Sequence, residues 1–167
     1  MATDDEQDVS ITPWQTFVLD TANCGPQLHW VFDRYGDYGK SPLCDIIRSS
    51  DHGFSHKTRE VQDFQQALHA RLDTNLGILV LDLKRSTRAR HLREFAAICE
   101  ALQHGRYRSW TLDPPPSAIW IFSGHIPPPN RRSNKHWHTW YLNSDGNTST
   151  LVKYSWAKRR RITAEDA

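Results

Sequence analysis

One stretch constrains this chain more than any other: Gln27 to Ser41, QLHWVFDRYGDYGKS. Leu28 to Phe32 is a short apolar run rich in β-formers, which predicts a buried strand. Gly36-Asp37-Tyr38-Gly39-Lys40-Ser41 follows as a glycine-punctuated loop ending in Gly-Lys-Ser. A helix can start there, with Pro42 tolerated because the first turn of a helix has backbone N–H groups without intrahelical partners. A strand, such a loop and a helix together make a phosphate cradle. Glycines let backbone N–H groups close around a polyphosphate, a lysine neutralises the outer phosphates, a hydroxyl ligates Mg2+, and the helix N-terminus adds positive dipole. Arg34 stands where the standard pattern has its first glycine, so the fit is to a shortened variant that uses Gly36. The alternative for the same string is an ordinary surface turn.

Two further β runs complete a pattern. Ile78-Leu79-Val80-Leu81 ends at Asp82, and an acidic residue at the C-terminal end of an apolar strand can organise Mg2+ opposite a phosphate loop. The alternative is a buried strand with an aspartate in its next turn. Between the loop and this run, Leu43, Ile46 and Ile47 continue a helix that closes near Ser49 to Asp51, and residues 51–57 are expected to be a loop. Val61, Phe64, Leu68 and Leu72 mark the buried face of a helix from Thr58 to Asp73. That order, strand, helix, strand, is what a parallel sheet requires. Ala118 to Phe122 is the third strong β run, followed by Ser123-Gly124-His125.

Elsewhere the elements are conventional. Trp14, Phe17, Val18 and Ala22 recur at helical spacing behind Pro13. Lys84 to Arg93, KRSTRARHLR, is strongly basic: either a solvated face or a patch that meets nucleic-acid phosphates. It leads into a helix with Leu92, Phe95, Ala96, Cys99 and Leu102 on its apolar face and Gly105 as its stop. Tyr107 to Leu112 is expected as a strand, Asp113 to Pro116 as a rigid connector, and Thr150 to Trp156 as a last strand after the turn Ser144-Asp145-Gly146-Asn147. His136 and His138 flank Trp137 and could place two imidazoles on one face of a strand for a metal, or be surface histidines beside a packed tryptophan.

The 167 residues suit one domain. Three scattered cysteines give neither a disulfide framework nor zinc spacing, which fits a reducing compartment. No apolar run approaches the length of a membrane span, so no membrane partner is expected. Residues 1–12 form an acidic arm, 13–143 the domain, and 144–167 a basic tail in which Lys158 to Arg161 could act in nuclear import.

Taken in order, these segments resemble the superfamily 3 helicase domain of the replication-associated (Rep) proteins of small circular single-stranded DNA viruses. The resemblance rests on Trp14-Gln15, on His29 to Asp33 followed by GDYGKS, on LVLDLKRS from Leu79 to Ser86, on AIWIFSGHIPP from Ala118 to Pro128, and on SNKHWHTWYL from Ser133 to Leu142. It implies an AAA+ P-loop fold: a central, mainly parallel α/β sheet with helices on both faces. It implies ATP and Mg2+ as cofactors, with Gly36, Asp37, Tyr38, Gly39, Lys40 and Ser41 around the phosphates, Ser41 and Asp82 on the metal, and Lys40 and Asp82 in catalysis. It further implies ATP hydrolysis coupled to movement on single-stranded DNA, a homo-oligomeric ring (a hexamer), work in the host nucleus, and full-length Rep as a partner.

The departures are equally specific. The family's third motif ends in an asparagine that senses the terminal phosphate; here Gly124 falls at that place, with Ser123 as the nearest hydroxyl that could substitute. Lys135 and His136 stand where the family has aspartate and arginine, with Arg131 and Arg132 nearby. The family's nicking domain is not expected ahead of the helicase-like segment. The alternative function is therefore a hydrolysis-deficient, nucleotide- and nucleic-acid-binding interaction subunit derived from such a Rep.

Overall fold

The computed structural model describes residues 11–33, 39–71, 75–108, 110–112, 115–125, 137–145 and 148–153. Its core is a six-stranded sheet of β1 (Gln27–Phe32), β2 (Gly53–Thr58), β3 (Ile78–Leu83), β6 (Ala118–Ser123), β7 (Trp137–Asp145) and β8 (Thr148–Lys153). A separate two-stranded hairpin holds β4 (Arg106–Tyr107) and β5 (Trp110–Thr111). The helices are α1 (Pro13–Asp20), extended by a 3-10 turn over Thr21–Asn23, α2 (Lys40–Ser49), α3 (Val61–His69) and α4 (Ala89–Gln103). Strand order is β2-β3-β6-β1-β7-β8. All pairs are parallel except β7 with β8, so this is an α/β fold on a mixed, mostly parallel sheet.

Side-chain alternation sorts the core into two layers. Leu28 and Trp30 of β1, Leu79 and Leu81 of β3, and Ile119 and Ile121 of β6 pack on Phe64 and Leu68 of α3 and on Leu92, Phe95, Cys99 and Leu102 of α4. The intervening residues, Val31, Ile78, Val80, Ala118, Trp120 and Phe122, face Trp14 and Val18 of α1 and Leu43, Cys44 and Ile47 of α2. Strands buried on both faces read as unbroken apolar runs, and helices must then cover both sides. Among the described residues no helix is long and apolar enough to cross a membrane.

Several polar atoms buried in this core are partnered. Trp120 Nε1 donates to Thr21 Oγ1 at 2.9 Å, and Trp140 Nε1 donates to His29 Nδ1 at 3.1 Å. His29 Nε2 lies 3.0 Å from Gln27 Oε1, and its ring stacks on Trp120 with centroids 3.9 Å apart. His138 of β7 lies beside His29 in a stack at 5.0 Å, so its ring belongs to an aromatic column; His136 lies outside the described residues.

Four expectations need correcting. Residues 51–57 are mainly strand, not loop: β2 begins at Gly53 and runs through Thr58. Among the described residues β2 is an edge strand that pairs only with β3, so half-polar Gly-Phe-Ser-His-Lys-Thr suffices and no apolar run marks it. Helix α3 consequently starts at Val61 rather than Thr58 and ends at His69. Tyr107 to Leu112 is not one strand but the β4–β5 hairpin, turned at Arg108, whose φ is +53°. Among the described residues the last strand is Thr148–Lys153, which starts two residues before the expected Thr150; residues 154–156 lie outside the described residues. The acidic N-terminal residues, the basic cluster Lys158 to Arg161, and Leu72 lie outside the described residues.

Two outcomes follow. A Cβ added at Gly53 falls on the backbone carbonyl oxygen of Ile47, so Gly53→Ala should destabilise the fold by about 2 kcal/mol or more in urea unfolding. Burial, helped by the charge on His138, lowers the His29 pKa from 6.5 to about 3. Between those values the unfolded chain binds a proton that the fold refuses, so stability falls as pH drops from about 6.5 toward about 3. Inside that window the slope is about 1.4 kcal/mol per pH unit, and His29→Phe should remove that part of the dependence.

Candidate functional site

The carboxyl ends of β1, β3 and β6 meet the amino end of α2, and ligands of open α/β sheets bind in that position. β1 delivers Asp33, which is 1% exposed and whose amide donates to the Ser123 carbonyl at 2.8 Å. β3 delivers Asp82, which is 7% exposed and points to the α2 side with Val80. α2 opens with Gly39 at φ +93°, a left-handed conformation that favours glycine, and Lys40 is its first helical residue.

Lys40 joins the three elements. Its ammonium lies 2.9 Å from Asp33 Oδ2 and 3.3 Å from Asp82 Oδ1. Burial opposes the charged form, but the two carboxylates outweigh it, and the Lys40 pKa is held above the ordinary lysine value. Two carboxylates, from β1 and β3, share one ammonium here. A hard divalent ion such as Mg2+ suits this donor set, because it binds through one or two carboxylates plus substrate oxygens instead of a dedicated protein cage. Among the described residues no cluster of three or more His, Cys, Asp and Glu side chains could hold a metal alone.

The loop is held from its far side by α1. Gln15 Nε2 donates to the Gly39 carbonyl at 2.6 Å, and Gln15 Oε1 accepts from the Thr12 amide at 2.9 Å. Trp14 beside it packs on Phe122, with ring centroids 6.1 Å apart. Trp14-Gln15 is thus physically part of the site, which the sequence showed only as a motif at the start of a helix.

Of the residues expected here, Gly39, Lys40 and Asp82 come together as described. Ser41 is exposed, one residue further along α2. Gly36, Asp37 and Tyr38 lie outside the described residues, as do Arg131, Arg132, Lys135 and His136. Asp33 carried no assigned role, although the signal was present: it ends an apolar run just as Asp82 ends Ile78 to Leu81. Ser123 was expected as the nearest hydroxyl to stand in for the family's asparagine. Alternation turns it away from the face that carries Phe122 and Asp82, and its Oγ accepts the His125 amide at 3.0 Å. At Gly124 an added Cβ would meet Arg85 Cγ at 3.4 Å, an ordinary van der Waals contact.

No family model, curated protein or solved structure matches the chain.

Removing one carboxylate tests the cluster. Asp33→Asn should move the Lys40 pKa downward, toward or below 10.5, in an NMR titration of the Lys40 side chain. An unchanged value would mean that Asp33 does not hold the ammonium.

Proposed function

We propose that this chain binds a nucleoside triphosphate with Mg2+ at the Lys40 site and hydrolyses it as the motor domain of a Rep-like superfamily 3 helicase. The single observation that carries the proposal is Lys40, placed at the amino end of α2 between Asp33 and Asp82. A lysine there can leave its carboxylates for the outer phosphates, and the Gly36–Ser41 backbone would line them. Ser41 and Asp82 are the oxygen donors that would hold Mg2+, which when bound neutralises charge on the phosphates. Positioning and charge stabilisation then account for most of the rate, because phosphoryl transfer has a loose transition state. The parallel strand set β2-β3-β6-β1-β7 supports the finer assignment to an AAA+ P-loop fold. The resemblance extends the proposal to ATP as nucleotide, a hexameric ring, movement on single-stranded DNA, full-length Rep as partner, and replication in the host nucleus.

Gly124 and the orientation of Ser123 favour a second function: nucleotide binding without turnover, in an interaction subunit. Neither residue offers a side-chain donor to a terminal phosphate on the Lys40 side of the sheet.

Fluorescent ATP binding with Mg2+, wild type beside Lys40→Ala, tests the shared part. Affinity should fall at least tenfold in the variant, and equal binding, or none in either protein, would overturn both functions. Phosphate release in the same samples separates them. Release stimulated by single-stranded DNA supports the motor, whereas tight binding with no release supports the subunit.

A further inference from the structure

Four arginines from three segments converge in the fold. Arg88 and Arg90 at the start of α4, Arg59 after β2 and Arg108 at the tip of the β4–β5 hairpin line one open groove of about 940 Å3. All four are exposed. Arg88 and Arg90 have no acidic partner within ion-pair distance among the described residues, and Arg59 meets Glu60 only at 4.0 Å. Arg108 donates to the neutral Gln65 Oε1 at 3.2 Å, which orients its guanidinium without neutralising it. Glu60 and Glu94 also line the groove, so four arginines against two glutamates leave a surplus of two positive charges, to which His91 can only add. An anionic occupant relieves the mutual repulsion of such a cluster.

The chain carries a complementary segment, and its attachment point lies at the same end of the sheet. Asp4, Asp5 and Glu6 are three consecutive carboxylates ahead of Ile11, the first described residue. β1, β6, β3 and β2 are parallel, so the residues that follow them all leave at one end. Arg59 directly follows β2, and Arg88 follows β3. Asp33 directly follows β1 and contacts Lys40, the first residue of α2. Gln15 bonds both to Gly39, ahead of that lysine, and to the Thr12 amide, so the chain before Thr12 starts at this end too. β3 lies two strands from β1, about 10 Å along the sheet, and passing from the α1 side to the α4 side crosses roughly two layers of about 10 Å each. The path is then about 22 Å. Seven extended residues, from Ile11 back to Asp4, span about 23 Å before any side chain is counted.

We propose that this arginine groove holds the acidic segment Asp4-Asp5-Glu6 of its own chain. A guanidinium matches a carboxylate with two parallel hydrogen bonds, and clusters of arginines recognise acidic peptides on that basis. Three negative charges against a surplus of two positive ones bring the pair close to neutrality. Asp8 stands three residues ahead of Ile11, about 10 Å of chain, and stays short of the groove. The docked segment makes residues 4–11 a strap across the strand ends that present Asp33 and Asp82.

The test uses the whole chain with a nitroxide label at Thr3→Cys, the exposed Cys24 being changed to serine (Cys24→Ser) so that it takes no label. Neither nucleotide nor Mg2+ is present, so the outcome does not depend on the proposed function. At low salt the label should broaden the amide NMR signals of Arg59, Arg88, Arg90 and Arg108. The broadening should exceed, roughly twofold or more, that in the same labelled chain carrying Asp4→Asn, Asp5→Asn and Glu6→Gln. The excess should vanish in about 1 M NaCl, where the Debye length is about 3 Å. Equal broadening with the neutral segment would overturn the proposal, because tethering alone would then explain it. So would an excess that persists at high salt, or no broadening at all. Mixing labelled chain with unlabelled, isotope-enriched chain separates the copies. Broadening in the mixture as strong as within one chain would mean that a second copy's segment fills the groove, and would overturn the assignment to its own chain.

Discussion

Everything in this fold depends on three strands that are buried on both faces. β1, β3 and β6 lie side by side at the centre of the sheet; every residue of β3 and β6 is buried, as are the four inner residues of β1. Such strands stay in register only if both faces are covered, because a one-residue slip exchanges the two faces. Large rings fix the fit. Trp30 lies on the α3–α4 side and Trp120 on the α1–α2 side, so each strand's two faces differ in shape. Register, once fixed, places Asp33 and Asp82 on the same side, one strand apart, with Lys40 arriving from α2.

In the site that results, one ammonium is held between two carboxylates and ties β1, β3 and α2 together. Arg59 and Arg88, which follow β2 and β3, line a separate groove with Arg90 and Arg108.

Much of this was legible in the chain, for identifiable reasons. Central strands announce themselves as apolar runs, and helices with one buried stripe as a 3.6-residue period, so β1, β3, β6, α1 and α4 were expected close to where they lie. β2 was not, because an edge strand needs few apolar residues and this one has Ser55, His56 and Lys57. The β4–β5 hairpin was missed because its turn uses Arg108 at positive φ, where Gly or Asn would have signalled it. Lys40 and Asp82 were legible as motif residues. Asp33, Gln15 and the convergence of Arg59 with Arg108 were not, since they depend on which loops the sheet order makes neighbours.

The contact of Gln15 with Gly39 has a mechanical meaning. Its amide group spans from the Thr12 backbone to the loop that precedes Lys40, and α1 is otherwise seated through Trp14 and Val18. One side chain thus couples the N-cap of α1 to the N-cap of α2, so the two helix starts cannot shift apart without breaking one of its two hydrogen bonds.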